Sequence, residues 1–289
     1  MFHPNIYTQK TTAFQKKLWF FSALDKSRVS FAMTRKVSRL LRMIALYFFC
    51  FLLVFNCNFV NRKDTNSMKT KCIKTLIIGV VYTIAFVIWT ILIQIVDVKA
   101  VGVSGTNVGF ATLNAYFHSL TGINITLYNI TDWLGLVPIF VCVIFGVIGL
   151  VQLIKRKSLL GVDFDIIILG VYYVIVMLCY LVFEMFPINY RPILINGFME
   201  ASFPSSTTLL VLCVMPTLVF QVNRRLKNKK IKNFIYVITV LFSVFMVIGR
   251  LISGVHWITD IVGSIILSTG LFYVYKGVVL WNSMKNFRN

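Results

Sequence analysis

The sequence contains little charge and very little acidic charge. Only 13% of its 289 residues are charged and only 9 are Asp or Glu, whereas 58% are hydrophobic. A soluble domain of this length needs a far more polar surface. Several apolar runs approach the roughly 20 residues that cross a bilayer. The composition therefore excludes a soluble protein and predicts a membrane protein.

The sequence also lacks the cysteine patterns that bind metals. Its six cysteines lie almost entirely inside apolar runs, without a CxxC pair or a histidine at metal-ligand spacing. They are Cys50, Cys57, Cys72, Cys142, Cys179 and Cys213. We interpret them as small core residues, and we predict neither a metal site nor a cofactor.

A formal net charge of +20 is compatible with a nucleic-acid partner. However, the Lys and Arg residues form short clusters between apolar runs and do not cover one face of a soluble domain. Clusters of this kind flank membrane spans on the cytoplasmic side. We therefore interpret the charge as a topology signal and predict no nucleic-acid partner.

Seven apolar segments predict membrane helices. They cover residues 43–60, 75–96, 134–154, 166–186, 205–222, 233–250 and 261–281. No soluble domain or polar linker separates the last six segments, so we predict one all-α bundle of six core transmembrane helices in the bilayer. The sequence does not indicate an oligomeric state.

The N-terminal segment differs from this bundle. Basic residues flank both ends of the run over 43–60, although only one end can lie in the cytoplasm. Met68 begins a short basic stretch that leads directly into an apolar helix, as many membrane chains begin. We therefore divide the chain into an extension, residues 1–67, and a six-helix domain, residues 68–289. The extension is either an upstream translated segment or an extra anchor.

The basic clusters also predict the orientation of the six helices. Clusters at 69–74, 155–157 and 224–232 alternate with the apolar runs so that all lie on one side, together with Lys285 and Arg288. The positive-inside rule places this side in the cytoplasm. We therefore predict a multi-pass protein of the cell membrane, with both ends of the six-helix domain in the cytoplasm.

Three polar blocks fall on the predicted outer side, at 190–192, 203–208 and 249–260. Arg191 and Arg250 are unusual there, because few other basic residues lie on that side. An interfacial anchor would explain either arginine alone. Each guanidinium is also a planar, permanent cation that suits phosphoryl oxygens. The common depth of the three blocks predicts a phosphate site that contains both arginines.

The second block begins a helix with four hydroxyl residues in a row, Ser205, Ser206, Thr207 and Thr208. The Ser205 hydroxyl can cap this helix, and the unpaired N–H groups of a first turn attract anions. A plain cap needs only one hydroxyl. We therefore assign phosphate binding to Ser205, Ser206 and Thr207.

The third block contains a candidate nucleophile, His256. Asp260 follows four residues later on the same helix face, so its carboxylate can accept the proton of one ring nitrogen. The other nitrogen can then attack phosphorus and form a phosphohistidine, which water cleaves. Arg191 and Arg250 would stabilise the negative charge that builds on the equatorial oxygens. An interfacial His with a capping Asp is the structural alternative.

The outer loop over 98–133 alternates small, aromatic and polar residues. This pattern predicts an amphipathic helix that lies along the membrane interface. His118 in this loop has no acidic or basic partner at useful spacing, so we interpret it as structural.

The three blocks resemble the type 2 phosphatidic acid phosphatase superfamily, whose pattern is K-x6-R-P, then P-S-G-H, then S-R-x5-H-x3-D. The matching residues are Arg191, Pro192, Pro204, Ser205, Arg250, His256 and Asp260, with Gly249 in place of the last block's Ser. The resemblance covers roughly residues 70–281. It implies a six-helix membrane phosphatase that hydrolyses lipid phosphates or pyrophosphates at the outer face, through a histidine nucleophile and without a metal.

Two further positions depart from this pattern, Glu184 in place of the first-block Lys and Thr207 in place of the second-block His. The resemblance implies that this His protonates the leaving oxygen, a role worth about 10² to 10⁴ in rate. A phosphate leaving group needs less help than an alkoxide. Thr207 thus favours a polyprenyl or similar lipid pyrophosphate over phosphatidic acid or phosphatidylglycerol phosphate, with Glu200 as a candidate substitute acid.

Two other functions stay open. The same departures fit a catalytically weak membrane protein that binds lipid phosphates without turning them over. A small transporter or channel is the third possibility, but the apolar runs lack the charges and paired interruptions typical of ion or solute paths.

Overall fold

A computed structural model describes the backbone of residues 65–288 and the side chains of residues 68–285. The apolar run predicted over 43–60 and nearly all of the extension over 1–67 lie outside the described residues. The division of the chain at residue 67 therefore stays a prediction.

The described part of the chain forms eight α-helices joined by loops and two short 3-10 turns. They are α1 Thr65–Ile95, α2 Ala111–Thr121, α3 Ile125–Leu134, α4 Leu136–Arg156, α5 Phe164–Met185, α6 Ser206–Arg225, α7 Lys229–Ile252 and α8 Ile258–Arg288. Six stretches are long and apolar enough to cross a membrane, with α3 and α4 counted together. The prediction of an all-α bundle with six membrane helices is confirmed.

Helices α6 and α8 form the centre of the bundle. In the most apolar 18-residue window, 72% of α6 and 61% of α8 is buried, against 33% or less in the other membrane stretches. The outer helices carry rows of exposed large apolar side chains, among them Ile84, Phe140, Val174 and Leu241. Such outer surfaces suit contact with lipid chains, which are as apolar as the side chains themselves.

Close backbone packing joins α1 to α8. A Cβ atom added to Gly79 would lie 2.7 Å from the backbone nitrogen of Val274, and one added to Gly277 would lie 2.5 Å from a methyl carbon of Leu76. The two helices run antiparallel, since the thiol of Cys72 near the start of α1 donates to the carbonyl of Gly277 near the end of α8. Small residues at such contacts are the usual means of packing membrane helices.

Ion pairs join α4, α5 and α6 at the end of the bundle that carries the basic clusters. Asp163 pairs with Arg156 at 2.8 Å and with Arg225 at 3.1 Å. Asp165 pairs with Arg224 at 3.3 Å and with Arg225 at 3.0 Å. The opposite end, where α5 and α7 end and α6 and α8 begin, is called the site end below, because it contains all three polar blocks.

We expect Gly79→Ala to lower the free energy of unfolding by about 1–3 kcal/mol, because the new methyl group meets the backbone of α8 and the helices must separate. Thermal unfolding in detergent measures the effect. The matched control is Gly170→Ala, where an added Cβ meets nothing within 4 Å. Equal melting temperatures for the two variants would contradict the prediction.

Candidate active site

The loop between α5 and α6 folds back on itself and carries both the first and the second block. Tyr190 and Ala201 form an antiparallel bridge, the Arg191 amide donates to the Glu200 carbonyl at 3.1 Å, and the Ser202 amide donates to the Asn189 carbonyl at 2.8 Å. The Phe203–Pro204 peptide bond that follows is cis. This double-stranded ribbon, residues 187–205, holds the side chains of its two strands at the same level.

The turn between α7 and α8 positions the third block. Gly254 has φ +67°, and a Cβ there would lie 1.8 Å from the carbonyl oxygen of Gly122, so only glycine fits. Nε2 of His118 donates to the Gly254 carbonyl at 3.1 Å, which is a structural contact of the kind predicted for this histidine. The indole N–H of Trp257 donates to the Tyr190 carbonyl at 2.8 Å and joins the turn to the ribbon.

His256 lies on this turn and packs against the ribbon, with only 3% of its surface exposed. Its Nδ1 atom is 3.2 Å from the carbonyl oxygen of Ser202. Because a carbonyl can only accept a hydrogen bond, this contact places the ring proton on Nδ1. Nε2 then carries the lone pair, and it has no hydrogen-bond partner among the described residues. The ring therefore presents a nucleophilic nitrogen.

Asp260 does not contact His256 in the way expected from their spacing. Its Oδ2 atom is 3.9 Å from Nδ1 of His256, too far for the predicted direct hydrogen bond. Instead, Oδ2 accepts from the Trp257 amide at 2.9 Å and from the Ser202 hydroxyl. The carboxylate points toward the backbone N–H of Trp257 at the start of α8. Its link to His256 therefore passes through the Ser202 hydroxyl.

Ser202 is thus a site residue that the sequence analysis missed. Its hydroxyl oxygen is 3.2 Å from Nδ1 of His256 while the hydroxyl proton goes to Asp260. Its position next to the second block is the only signal in the sequence, since the contact depends on how the ribbon meets α8. A backbone carbonyl and a hydroxyl of one residue together hold the imidazole.

The protonation of His256 follows from its surroundings. Burial lowers its pKa well below the ordinary 6.5, and the positive charges of Arg191 and Arg250 lower it further. A histidine with a lowered pKa loses its proton at a lower pH than usual. The ring is therefore neutral, with a free lone pair, throughout the neutral pH range.

Arg250 is a buried cation with 1% of its surface exposed. Its Nη2 atom donates to Asp132 at 2.9 Å and to the Thr207 hydroxyl. Nη1 donates to the Tyr128 carbonyl and to the Thr131 hydroxyl, each at 3.4 Å. Three of these four partners belong to α3, so this short helix forms one wall of the site.

Arg191 lies on the ribbon and shares its surroundings with Arg250. Its Nη2 atom pairs with Glu200 at 3.0 Å, and Nη1 donates to the Tyr128 hydroxyl at 3.4 Å. The guanidinium carbon of Arg191 lies 5.7 Å and that of Arg250 4.8 Å from the centre of the Tyr128 ring. Both distances suit cation–π attraction, which lets one aromatic ring hold two like charges near each other.

The second sequence feature that was missed is therefore α3 itself, with Tyr128, Thr131 and Asp132. The loop over 98–133 is predicted to lie along the interface, and its last helix, α3, packs against the site arginines. A signal was present, because Asp132 is one of only nine acidic residues in the chain. A carboxylate in an outer loop next to a lipid surface needs a partner.

The hydroxyl residues at the start of α6 make different contacts. Ser205 occupies the N-cap position, but its hydroxyl makes no capping bond and donates to Thr208 at 3.0 Å. Thr207 contacts Arg250, and Ser206 lines a small cavity with Glu184. The structure thus brings Thr207 directly to the arginines, while the first-turn N–H groups of α6 keep no side-chain cap.

Gly249, where the family pattern has Ser, lies where α3 crosses α7. A Cβ at this position would lie 2.6 Å from Cγ2 of Thr131. The glycine therefore permits the close contact that brings the partners of Arg250 to the site. A serine here requires α3 to move.

We expect Gly249→Ser to destabilise the protein by about 1–3 kcal/mol through this overlap. Thr131→Ser removes the overlapping methyl and keeps the hydroxyl that Arg250 contacts. The double variant should therefore regain most of the lost stability in thermal unfolding. Simply additive losses in the double variant would show that the two residues do not interact.

Three comparisons with known proteins bear on this arrangement. The family model described as the PAP2 superfamily matches residues 166–284. Phosphatidylglycerophosphatase B of Bacillus subtilis (strain 168) is 34% identical over 77 residues, which make up 26% of this chain and 38% of that protein. The chain thus matches less than half the length of this curated relative.

A solved structure shares the fold. It is the crystal structure of the first transmembrane PAP2 type phosphatidylglycerolphosphate phosphatase from Bacillus subtilis, with 22% identity and a TM-score of 0.50. The match covers 70% of this chain and 95% of that one. The residues of all three polar blocks, from Arg191 to Asp260, lie inside the stretch that the PAP2 superfamily model matches.

Proposed function

We propose that the chain hydrolyses a lipid phosphate or pyrophosphate, with His256 as the nucleophile. One observation carries this proposal, the buried Nε2 atom that has no partner among the described residues and lies near two arginines. A structural histidine at such depth would normally use both ring nitrogens. A lone pair held beside two cations suits attack on the phosphorus of an anionic ester.

The site's charges support binding and reaction at one place. Arg191 and Arg250 attract the phosphate and stabilise the extra negative charge of five-coordinate phosphorus. The uncapped first turn of α6 adds N–H donors next to Thr207. Nε2 forms the bond to phosphorus while the bond to the leaving oxygen breaks, and water then cleaves the phosphohistidine. These steps use only groups of the chain and water.

Asp260 and Ser202 hold the nucleophile ready. Since Ser202 donates its proton to Asp260, its oxygen and its carbonyl both accept from the ring N–H at Nδ1. As His256 gains positive charge during attack, the negative charge of Asp260 reaches it through this hydroxyl. Asp260 thereby acts through Ser202 as an orienting acid, in the role that the sequence predicted for direct contact.

The substrate is a lipid because the site lies at an end of a membrane bundle. The two relatives are named for phosphatidylglycerol phosphate, which supports a lipid monophosphate. Thr207 in place of a protonating histidine supports a lipid pyrophosphate, and we favour a polyprenyl pyrophosphate. The basic clusters at the opposite end support an outer location for the site, with the termini of the six-helix domain in the cytoplasm.

The alternative is a membrane protein that binds lipid phosphates without turning them over. The ion pairs of Arg191 with Glu200 and of Arg250 with Asp132 favour it, because a substrate must compete with both carboxylates. Glu184, which makes no ion pair among the described side chains, adds negative charge where the family has a lysine.

We expect the purified protein to release phosphate from at least one member of a panel of lipid monophosphates and pyrophosphates with EDTA present. His256→Ala should abolish release while leaving the melting temperature within a few degrees. Binding of the lipids without release would instead support the alternative. Release that survives in His256→Ala would remove this residue from the nucleophile's role.

We expect Ser202→Ala to lower kcat by about 10- to 100-fold, the loss typical of one hydrogen bond to a charged group. KM should change little, because Ser202 contacts His256 and not the phosphate-binding arginines. Ser202→Thr keeps the hydroxyl and should recover most of the turnover. If KM rises and kcat stays constant in Ser202→Ala, the residue does not act through His256.

A further inference from the structure

Hydrolysis of a lipid monophosphate needs one further group, to which the proposed mechanism has not yet assigned a residue. The departing oxygen becomes an alkoxide unless an acid protonates it as the bond breaks. His256 is the nucleophile, and Asp260 is fully buried with its Oδ2 atom bound to Ser202 and Trp257. Thr207 has no acidic proton. Among the described residues, the remaining acids that pair with the site arginines are Glu200 and Asp132.

Asp132 is the better placed of the two. A single atom of Arg250, Nη2, donates to both Asp132 and Thr207. The carboxylate therefore lies beside Thr207, at the arginine of the third block. Glu200 instead pairs with Arg191 on the ribbon. A phosphate bridging the two arginines would have Asp132 next to the oxygens that Arg250 holds.

Asp132 and its partner Arg250 differ in solvent exposure, and this difference suits proton exchange by the carboxylate. Asp132 has 58% of its side chain exposed, whereas Arg250 has 1%. The carboxylate thus lies at the mouth of the site, where it can exchange protons with water and meet the lipid side of the substrate. The arginine below it also donates to the Tyr128 carbonyl and the Thr131 hydroxyl, so its position does not depend on Asp132 alone.

Substrate binding itself changes the surroundings of Asp132. A phosphate that pairs with Arg250 takes the carboxylate's counterion and adds a second negative charge close by. The charged or titratable groups that meet here are Arg250 from α7, Arg191 and Glu200 from the ribbon, and the ring of His256.

We propose, on the basis of the function proposed above, that Asp132 is the general acid and base of this site. Nε2 of His256 forms a bond to phosphorus, the bond from phosphorus to the lipid oxygen breaks, and the electron pair goes to that oxygen. Asp132, which has taken a proton from water at the mouth of the site, donates it to that oxygen and gives the free alcohol. The Asp132 carboxylate then takes a proton from the water that attacks the phosphohistidine, which releases phosphate and neutral His256.

The test compares Asp132→Asn with the wild type on one lipid, the best of the panel, in its monophosphate and its pyrophosphate forms. The substitution keeps the shape and the bond to Arg250 but removes the acid. We expect kcat on the monophosphate to fall by about 10²- to 10⁴-fold. We expect kcat on the pyrophosphate, whose leaving group is a phosphate, to fall by less than about tenfold.

Two controls distinguish the acid from a support for Arg250. Glu200→Gln removes the other carboxylate and should leave the ratio of the two rates near its wild-type value. Thr207→His, added to Asp132→Asn, places an imidazole beside the same arginine and should restore monophosphate turnover.

Equal losses on both substrates would overturn the role of Asp132, because a displaced Arg250 slows both reactions alike. A wild-type protein that hydrolyses the pyrophosphate but not the monophosphate would overturn it as well. An acid that protonates the departing alkoxide must permit hydrolysis of the monophosphate. Absence of release from every lipid would be a different result, one that rejects the proposed function itself.

Discussion

The burial of Arg250 is the constraint on which the site end depends. Removing a guanidinium ion from water costs several kcal/mol or more unless hydrogen-bond acceptors and a counter-charge surround it. Helix α3 provides these groups through Tyr128, Thr131 and Asp132, so α3 must pack closely against α7. Gly249 permits this contact. The cation to which we assign phosphate binding is therefore also the group around which α3 and α7 pack.

The ribbon between α5 and α6 connects phosphate binding to nucleophile orientation. One strand carries Arg191 and the other carries Ser202, and backbone hydrogen bonds join the strands. The indole of Trp257 attaches this ribbon to the turn that carries His256. A movement that displaces the arginine therefore also displaces the groups that hold the imidazole. In the proposed function, phosphate binding and attack thus depend on one continuous piece of chain.

Much of the fold and part of the site could be predicted from the sequence. Long apolar runs identify membrane helices because lipid requires every backbone group to be bonded within the helix. The spacing of Arg250, His256 and Asp260 identified the third block. The roles of Ser202 and Asp132 could not be predicted, because they depend on a backbone carbonyl and on the angle at which α3 meets α7. Such contacts leave no periodic pattern in the chain.

The two ion pairs of the site also affect how a reaction would end. Inorganic phosphate, once formed, faces Asp132 and Glu200 as competitors for the same two guanidinium groups. These carboxylates are attached to the protein, so their effective concentration near the arginines is high and constant. The free anion lacks the lipid chain that keeps the substrate in the membrane. In the proposed hydrolysis, this competition favours release of inorganic phosphate and should weaken inhibition by the product.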